Sequence, residues 1–374
     1  MSILWLFTKK KQWPNFSWDK ESTLSLLTEI RYLQGKLLGR MQSLGFDLQD
    51  QAVLETITLD VVKTSEIEGE IMNTDEVRSS VARKLGIKLE SEIHVGRYTD
   101  GVVEMMLDAS QNYSMDFTDE RMFAWHAALF PTGRSGMYKI TVGNWRLGVD
   151  PMQVVSGPMG REKIHFEAPN SKVLDVEMGR FVQWANTSHK LDDTIKAAIA
   201  HLWFVTIHPF DDGNGRITRA ITDLFLSRSD RSKHRFYSMS AAILKNKKNY
   251  YDILEKTQKG NLDITEWIMW FLNCLKDAIS SSEDKLADIL YKATFWNTFS
   301  ETKLNDRQKF MINKLLDGFD GKLRTGKWAK ITKCTEKTAL RDIEDLMRKQ
   351  ILKKGLAGGR STSYELIPLK ERLH

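Results

Sequence analysis

Cysteine and proline are both scarce in this chain of 374 residues. The two cysteines, Cys274 and Cys334, lie far apart, which argues against a disulfide framework and against a cysteine-based zinc site. A reducing, cytoplasmic compartment is the simplest interpretation of so few cysteines. The chain has only seven prolines, and it shows neither an internal repeat nor a low-complexity linker.

Long apolar runs are also missing, which argues against a membrane span. Near the N-terminus, the apolar segment 3–7 is too short to cross a bilayer. This segment precedes the nearby basic residues, which is the reverse of the order in a signal peptide. With 41% hydrophobic and 28% charged residues, the composition is typical of a soluble globular protein, and we expect no membrane partner.

The positive charge is concentrated in one part of the chain, whose overall net charge is +6. Residues 301–374 carry 18 Lys and Arg against 10 Asp and Glu, a net charge of +8, so the other 300 residues sum to −2. A surface that binds a polyanion is therefore expected in the C-terminal segment.

Hydrophobic periodicity predicts an all-α protein with one exception. Apolar residues recur mostly at helical spacing, as they do in residues 24–38. Strand-like alternation is found in residues 152–156 and 163–166, around the turn-forming residues 157–160. We predict a β-hairpin, or flap, in this region, with a long surface loop as the alternative.

Two helices are predicted after the flap, over about residues 171–187 and 192–206. The second is apolar on nearly all sides, which is typical of a helix buried in a core. It leads directly into residues 208–219, whose sequence HPFDDGNGRITR is the most informative segment of the chain.

The segment 208–219 has the features of a phosphate-binding loop. Pro209 ends the preceding helix, because proline lacks an N–H and clashes with the previous turn. Gly213 and Gly215 permit positive φ and a close approach of the backbone to a ligand. A new helix is predicted to start near Arg216, and the free N–H groups of its first turn would form an anion site.

Four side chains of this segment suit a bound polyphosphate. Arg216 and Arg219 share one helix face and offer two guanidinium groups. Asp212 is a hard oxygen ligand for Mg²⁺, and His208 is a general base near neutral pH. Each feature alone has an ordinary explanation: a structural histidine, a glycine turn or a solvated arginine pair. Their combination in one short segment favours a nucleotide site.

The same segment resembles the Fic motif, His-Pro-Phe-x-(Asp/Glu)-Gly-Asn-Gly-Arg-x-x-Arg, at every specified position. The intact Gly-Asn-Gly distinguishes it from the Doc-like relatives, which alter this stretch and phosphorylate instead. The resemblance implies a Fic-type helical core and a protein adenylyltransferase, which uses ATP and Mg²⁺ to transfer AMP to a Ser, Thr or Tyr hydroxyl of a target protein, itself included.

The resemblance also implies a role for each residue of the motif. His208 would deprotonate the attacking hydroxyl, Asp212 would bind Mg²⁺, and Arg219 would reach the γ-phosphate. Pyrophosphate would leave from the α-phosphorus. The residues implied around the α- and β-phosphates are Gly213, Asn214, Gly215 and Arg216.

A second segment, residues 64–69 with the sequence TSEIEG, resembles the inhibitory motif (Ser/Thr)-x-x-x-Glu-(Gly/Asn) of the same family. It lies N-terminal to the catalytic motif in the same chain. The resemblance implies that Glu68 pairs with Arg219, so that ATP binds in an unproductive pose. A carboxylate and a phosphate do not cheaply share one guanidinium in a closed site. The alternative is an ordinary exposed glutamate on a helix.

The other nucleotide contacts are implied by position within the family rather than by a tight motif. Ser156 and Gly157, in the predicted flap, would lie near the nucleotide, and the flap would align the target protein by strand pairing. Tyr251 and Gln258 would close the adenine pocket together with Tyr250. The alternative for the two tyrosines is a role as core aromatics.

Three regions are expected along the chain. Residues 1–95 would form a helical N-terminal region, which includes the inhibitory helix and has an expected part in a homodimer. Residues 96–285 would form the Fic catalytic core. Residues 300–374 have three predicted helices followed by a hairpin, and this order resembles a winged-helix domain.

The winged-helix resemblance implies a recognition helix and a wing that face a partner. DNA binding and protein docking both remain open for this surface. The residues expected on it are Thr335, Lys337, Thr338 and Arg341 on the helix, and Arg360 on the wing.

Other functions stay open beside AMP transfer. The same site suits removal of AMP, with Glu68 orienting a water molecule, and it suits transfer of another phosphate-containing group. A third alternative is a DNA-binding regulator whose Fic site only senses nucleotide. The complete motif favours an active enzyme, whereas the basic C-terminal segment favours the regulator.

Overall fold

The computed structural model describes residues 8, 10–89, 93–148, 152–156, 163–187, 191–319, 321–355 and 362–369. Within these ranges the protein is mainly helical, so the predicted all-α class is confirmed. No helix of the described ranges is both long enough and apolar enough to cross a bilayer.

The first eight helices are α1 (Lys20–Gln42), α2 (Phe46–Ile67), α3 (Thr74–Leu85), α4 (Arg97–Gln111), α5 (Asp119–Leu129), α6 (Leu174–Asn186), α7 (Asp193–Ile207) and α8 (Asn214–Asp230). The later helices are α9 (Met239–Lys245), α10 (Lys247–Lys259), α11 (Thr265–Lys285), α12 (Ala287–Thr298), α13 (Asp306–Leu316), α14 (Thr325–Ile331) and α15 (Glu336–Arg348). The strands are β1 (Arg134–Ser135), β2 (Tyr138–Lys139), β3 (Gln153–Ser156), β4 (Lys163–Glu167), β5 (Leu352–Lys354) and β6 (Tyr364–Leu366).

The contacts divide the chain into two compact units, residues 1–284 and 285–374. The domain boundaries expected from the sequence stay predictions. Within the first unit α7 is a core helix, as predicted, because nearly all of its side chains are buried. Helix α8 packs along α7 and is also contacted by α2, α4, α5 and α9. Helix α2 of the expected N-terminal region therefore lies against the helix that carries both motif arginines.

The predicted β-hairpin is confirmed. Strands β3 and β4 pair antiparallel, with Gln153 opposite Glu167 and Ser156 opposite Lys163. The register shifts between Val154 and Val155. Such an irregularity bends a strand locally and raises its twist.

Within the second unit, residues 300–374 have the predicted order of three helices (α13, α14 and α15) and a hairpin, and α12 precedes them. Asn305 caps α13 in a capping box with Gln308, and the side chain of Thr335 caps α15 by accepting from the Thr338 N–H. Strands β5 and β6 pair antiparallel, and Leu323 forms an additional bridge to Tyr364. The core of this unit contains Phe295, Met311, Ile312, Trp328, Ala339, Ile343, Leu346 and Ile351.

Candidate active site

The motif loop joins α7 to α8. His208 is the C-cap of α7 and lies in the left-handed region, with φ 50° and ψ 60°, a conformation that is uncommon outside glycine. Pro209 prevents α7 from continuing. The Asn214 amide closes the loop, because it donates to the Phe210 carbonyl (2.8 Å) and accepts from the Phe210 N–H (3.0 Å). These two bonds fix the loop at the start of α8.

The imidazole of His208 has a defined tautomer. Its Nδ1 lies 3.2 Å from the Val205 carbonyl. A carbonyl only accepts, so Nδ1 carries the proton and Nε2 keeps its lone pair. Burial, with a smaller contribution from the Arg146 guanidinium, lowers the pKa of His208 to about 4. The side chain is therefore neutral at pH 7 and can accept a proton at Nε2.

Arg146 holds the motif loop and was missed by the sequence analysis. This side chain is almost fully buried, and its Nε donates to the His208 carbonyl at 2.9 Å. Its Nη2 donates to the carbonyl of Pro169, and its backbone N–H donates to the carbonyl of Pro209 at 2.9 Å. Arg146 thus fixes the backbone at both residues that begin the motif.

His126 supports the loop from α5 and was also missed. Its ring stacks on Phe210, with ring centroids 4.2 Å apart. Nδ1 accepts from the Gly143 N–H at 3.3 Å, so Nε2 carries the proton and donates to the Asp212 carbonyl at 3.2 Å. Burial lowers the pKa of His126 to about 4, which keeps this arrangement neutral at pH 7.

Helix α8 begins at Asn214, slightly before the predicted start near Arg216. Gly213 precedes it with φ 81°, and a Cβ at this position would lie 2.9 Å from the Phe130 ring. A side chain is therefore excluded there both by conformation and by space. The N–H groups of the first turn have no acceptors within the helix, so the backbone at Asn214, Gly215 and Arg216 forms a site suited to an anion.

Asp212 lies beside this anion site. Its carboxylate is 41% exposed, accepts a hydrogen bond from the Ser135 hydroxyl, and lies 3.5 Å from Nη2 of Arg216. Within the described residues, no cluster of three or more His, Cys, Asp or Glu side chains is placed to hold a metal ion. One accessible carboxylate next to an anion site fits Mg²⁺ that also takes ligands from nucleotide phosphates.

Arg219 is almost fully buried, and the end of α2 supplies its partners. Nε donates to the Thr64 hydroxyl at 2.6 Å, and Nη2 donates to the Thr64 carbonyl at 2.8 Å. Nη2 also lies 2.7 Å from Oε1 of Glu68. The structure therefore contains the Glu68–Arg219 pair that the sequence analysis expected, whereas the inhibitory role of this pair stays a prediction.

The sequence at the end of α2 explains how Glu68 is placed. Gly69 has φ 86°; its N–H donates to the Glu66 carbonyl, and the N–H of Glu70 donates to the Ser65 carbonyl, both at 3.0 Å. This pair of bonds is a Schellman motif, which requires a left-handed residue and so favours glycine. Glu68 and Glu70 therefore flank a fixed turn.

Arg216 has partners that the sequence analysis did not assign. Its Nη1 lies 3.0 and 3.2 Å from the two carboxylate oxygens of Glu70 and donates to the Tyr98 hydroxyl at 2.8 Å. The Tyr98 hydroxyl in turn donates to Glu70. The guanidinium carbon lies 5.2 Å from the centre of the Phe130 ring. Arg216 is 2% exposed, and its Nε is buried without a hydrogen-bond partner in the described part of the chain, so these contacts replace only part of its hydration.

Of the two flap residues expected at the nucleotide site, Ser156 and Gly157, only the first lies within the described residues. Ser156 is the last residue of β3 and pairs with Lys163 of β4. Gly157 lies outside the described residues. Arg360, which the winged-helix resemblance places on a wing, also lies outside them.

Tyr251 and Gln258 are both on α10. Tyr251 is 41% exposed, and burial together with the Glu68 carboxylate raises its pKa to about 12. The Gln258 amide donates to the Thr206 hydroxyl at 3.0 Å, just before the motif.

Tyr250 belongs to the core. It is 2% exposed, and its hydroxyl lies 2.9 Å from Nε2 of His201. Nδ1 of His201 lies 2.8 Å from the Thr222 hydroxyl on α8. That hydroxyl donates to the Thr218 carbonyl, so it accepts from Nδ1–H, and Nε2 accepts from the tyrosine.

Comparison with known families agrees with this geometry. Residues 116–226 match the Fic/DOC family, and residues 5–87 match a domain of unknown function, DUF4172. The chain therefore contains a Fic domain, which includes the motif loop and α8 up to its last turn.

Curated relatives are similar over part of the chain. The protein adenylyltransferase Fic of Drosophila virilis is 29% identical over 136 residues, which cover 35% of this chain and 26% of the relative. The protein of the same name from Culex quinquefasciatus is 30% identical over 131 residues, which cover 34% and 24%. The matched part thus spans about a quarter of the length of these relatives.

A solved structure is similar over nearly the whole chain. The crystal structure of a Fic family protein from Desulfovibrio desulfuricans G20 covers 95% of this chain and 98% of its own. The TM-score is 0.58 and the sequence identity is 17%, so this likeness shows a shared fold.

Proposed function

We propose that this protein transfers AMP from ATP to a hydroxyl group of a target protein, itself included. The observation that carries the proposal is the arrangement around the motif loop. A neutral imidazole with a free Nε2, a helix N-terminus suited to an anion and two buried arginines meet within one short segment. The adenylyltransferase names of the relatives support the same conclusion.

In the proposed reaction, the target hydroxyl attacks the α-phosphorus of ATP while Nε2 of His208 takes its proton. The bond between the α-phosphorus and the bridging oxygen breaks, and pyrophosphate leaves. Arg216 and the first N–H groups of α8 would hold the α- and β-phosphates, and Arg219 would hold the γ-phosphate. The negative charge of bound phosphates would raise the low pKa of His208 towards a more effective value for a base.

Asp212 would hold Mg²⁺ together with the nucleotide phosphates, and the ion would supply neutralisation of their charge. The adenine would lie by Tyr251 and Gln258, and Ser156 with Gly157 would lie on the flap side of the nucleotide. In the resting protein, Glu68 would withhold Arg219 from the γ-phosphate, so that the enzyme is autoinhibited.

The test is the intact mass of the protein after incubation with ATP and Mg²⁺. We expect Glu68→Gly to gain the mass of one or more adenylyl groups, whereas the double variant Glu68→Gly with His208→Ala gains none. To test the reverse reaction, the AMP-modified protein is isolated and mixed with unmodified wild type. Loss of the adenylyl mass would report removal of AMP. If no variant adds AMP to itself or to lysate proteins, although ATP still binds, the proposed transfer is wrong.

A second candidate function, DNA binding by a winged-helix domain, is favoured by exposed basic side chains on the second unit. Within residues 322–341 the exposed acidic side chain is Glu336. Such a surface suits a phosphate backbone. The exposed basic residues are Lys322, Arg324, Lys327, Lys330, Lys333, Lys337 and Arg341.

For this candidate we expect duplex DNA to bind with an affinity that falls steeply with salt, as followed by fluorescence anisotropy. Replacing Lys337 and Arg341 with Ala should reduce the salt slope by about 2, because about one phosphate contact is lost with each residue. Lys309→Ala, an exposed position on α13, is the matched control. Binding that depends on neither salt nor these two residues would rule out a DNA-binding surface on α15.

A further inference from the structure

One short connection carries two carboxylates, and each of them forms an ion pair with one of the two motif arginines. Residues 68–73 join α2 to α3, and they carry Glu68 at one end of the Schellman turn and Glu70 just beyond it. Glu68 pairs with Arg219 at 2.7 Å, and Glu70 pairs with Arg216 at 3.0 Å. Both arginines are 2% exposed, so protein groups rather than water satisfy their charge.

We propose that Glu70 and Tyr98 form a second latch, which withholds Arg216 from the nucleotide in the resting protein. This inference rests on the proposed function, because that function assigns Arg216 to the α- and β-phosphates. The inhibitory motif contains Glu68 and ends at Gly69, so it leaves Glu70 without a role.

The latch is a closed network that joins three elements. Both oxygens of Glu70 lie within 3.2 Å of Nη1 of Arg216. The Tyr98 hydroxyl accepts from the same nitrogen and donates to Glu70. Burial raises the pKa of Tyr98 to about 12, so the phenol keeps the proton that it donates. Because Tyr98 is on α4, Glu70 is tied to a different part of the core than Glu68.

Phosphate binding and this network compete for one guanidinium. If Glu70 stays, its charge lies next to an incoming phosphate and repels it. If Glu70 leaves, charge-assisted hydrogen bonds to Arg216 and Tyr98 are lost. Either way, nucleotide binding through Arg216 is weakened by the presence of the carboxylate.

The burial of the partners indicates which side of the latch opens. Arg216 is fixed by burial and by its contact with Phe130, whereas the side chain of Glu70 is 43% exposed. The next residue, Ile71, is 96% exposed, and Met72 is buried with its sulfur 2.9 Å from the Ser65 hydroxyl. Glu70 can therefore turn into solvent while the connection stays anchored at Met72.

The two latches should weaken the binding of different nucleotides. Glu68 acts on the arginine assigned to the γ-phosphate, so removing its charge should favour ATP over ADP. Glu70 acts on the arginine assigned to the α- and β-phosphates, so removing its charge should favour ATP and ADP alike. A comparison of the two nucleotides therefore separates the second latch from the first.

The experiment measures the dissociation constants of ATP and ADP by calorimetry for wild type, Glu68→Gln, Glu70→Gln and Tyr98→Phe. We expect Glu70→Gln to lower the dissociation constants of both nucleotides about tenfold, because one competing hydrogen bond to a charged group is lost. Tyr98→Phe should shift the affinity for both nucleotides in the same direction by a smaller factor, and Glu68→Gln should strengthen ATP binding more than ADP binding. Glu66→Gln is the matched control, because its carboxylate pairs with Lys63 instead.

Weaker or unchanged ADP binding in Glu70→Gln, with an unchanged thermal unfolding temperature, would overturn the latch and make Glu70 a residue that positions Arg216 for phosphate. Each protein also carries His208→Ala, which removes the proposed base, so ATP is not turned over and the measured binding is independent of AMP transfer. If the affinities shift as expected but no variant adds AMP in the mass experiment, the proposed function fails while the latch stands.

Discussion

Glu68→Gln is expected to raise the initial rate of AMP incorporation by at least about tenfold, whereas Glu66→Gln leaves it unchanged. The Glu68 carboxylate lies 2.7 Å from Nη2 of Arg219, and this arginine is almost fully buried. A hydrogen bond to a charged group contributes about 1.5–3 kcal/mol, which the γ-phosphate must replace before it binds. The neutral amide keeps the size of the side chain but no longer competes as an anion.

The measurement is the initial rate at saturating ATP and Mg²⁺, with radioactive AMP counted on the protein. Arg219 keeps both bonds to Thr64 in the variant, so its guanidinium should stay in place. Thermal unfolding should show a modest loss of stability that ATP reverses, because a buried cation has lost its partner. Equal rates in Glu68→Gln and wild type would contradict autoinhibition by this residue.

Much of the fold and of the motif loop was predictable because the signals are local. Pro209 and Gly213 mark where α7 ends and α8 begins, and both boundaries agree with the sequence to within a few residues. The strand alternation on either side of residues 157–160 identified the hairpin for the same reason. Such signals depend on neighbours along the chain, so one sequence is enough to find them.

The groups that hold the loop were not predictable, because only the tertiary fold brings them to it. Arg146 precedes His208 by a long segment of chain, and its contacts are with backbone carbonyls, which leave no mark in the sequence. His126 looks like any histidine on the apolar side of a helix. Its role follows from stacking on Phe210 and from the bond to the Asp212 carbonyl.

The contacts of Arg216 were also not predictable from the sequence. The sequence grouped Glu68 with Arg219 because each of them belongs to a motif of the same family, and the structure contains this pair. Glu70 lies just outside the motif, and Tyr98 is on another helix, so no pattern connects either of them to Arg216. The reason for the glycine of the inhibitory motif is also structural, since Gly69 needs φ 86° for the turn that positions both glutamates.

The free energy of unfolding of the region around the site is expected to fall steeply as the pH is lowered. His126, His201 and His208 have pKa values lowered, chiefly by burial, to about 4, 3 and 4. In the unfolded chain a histidine titrates near 6.5. Between these values the unfolded chain binds more protons than the folded one, so the stability present above about pH 6.5 is lost as the pH falls.

The three histidines together would lower the free energy of unfolding by up to about 4 kcal/mol per pH unit below that point. The pKa of Asp223 is raised well above its usual value, mainly by burial, and this acts in the opposite direction as the pH falls. The net slope is therefore smaller than the contribution of the histidines alone, and a variant is needed to isolate one of them.

His201→Gln isolates one histidine and should reduce the slope by about 1.4 kcal/mol per pH unit, because one proton-binding group is removed. The measurement is amide hydrogen exchange of α7 and α8 between pH 7 and 5, corrected for the intrinsic pH dependence of exchange. The matched control is His94→Gln, an exposed position whose removal should leave the slope unchanged. Only the slope is compared, since the loss of bonds to Tyr250 and Thr222 lowers stability at every pH. An unchanged slope in His201→Gln would mean that this histidine is protonated in the folded protein, and that its buried hydrogen bonds are not those of the neutral ring.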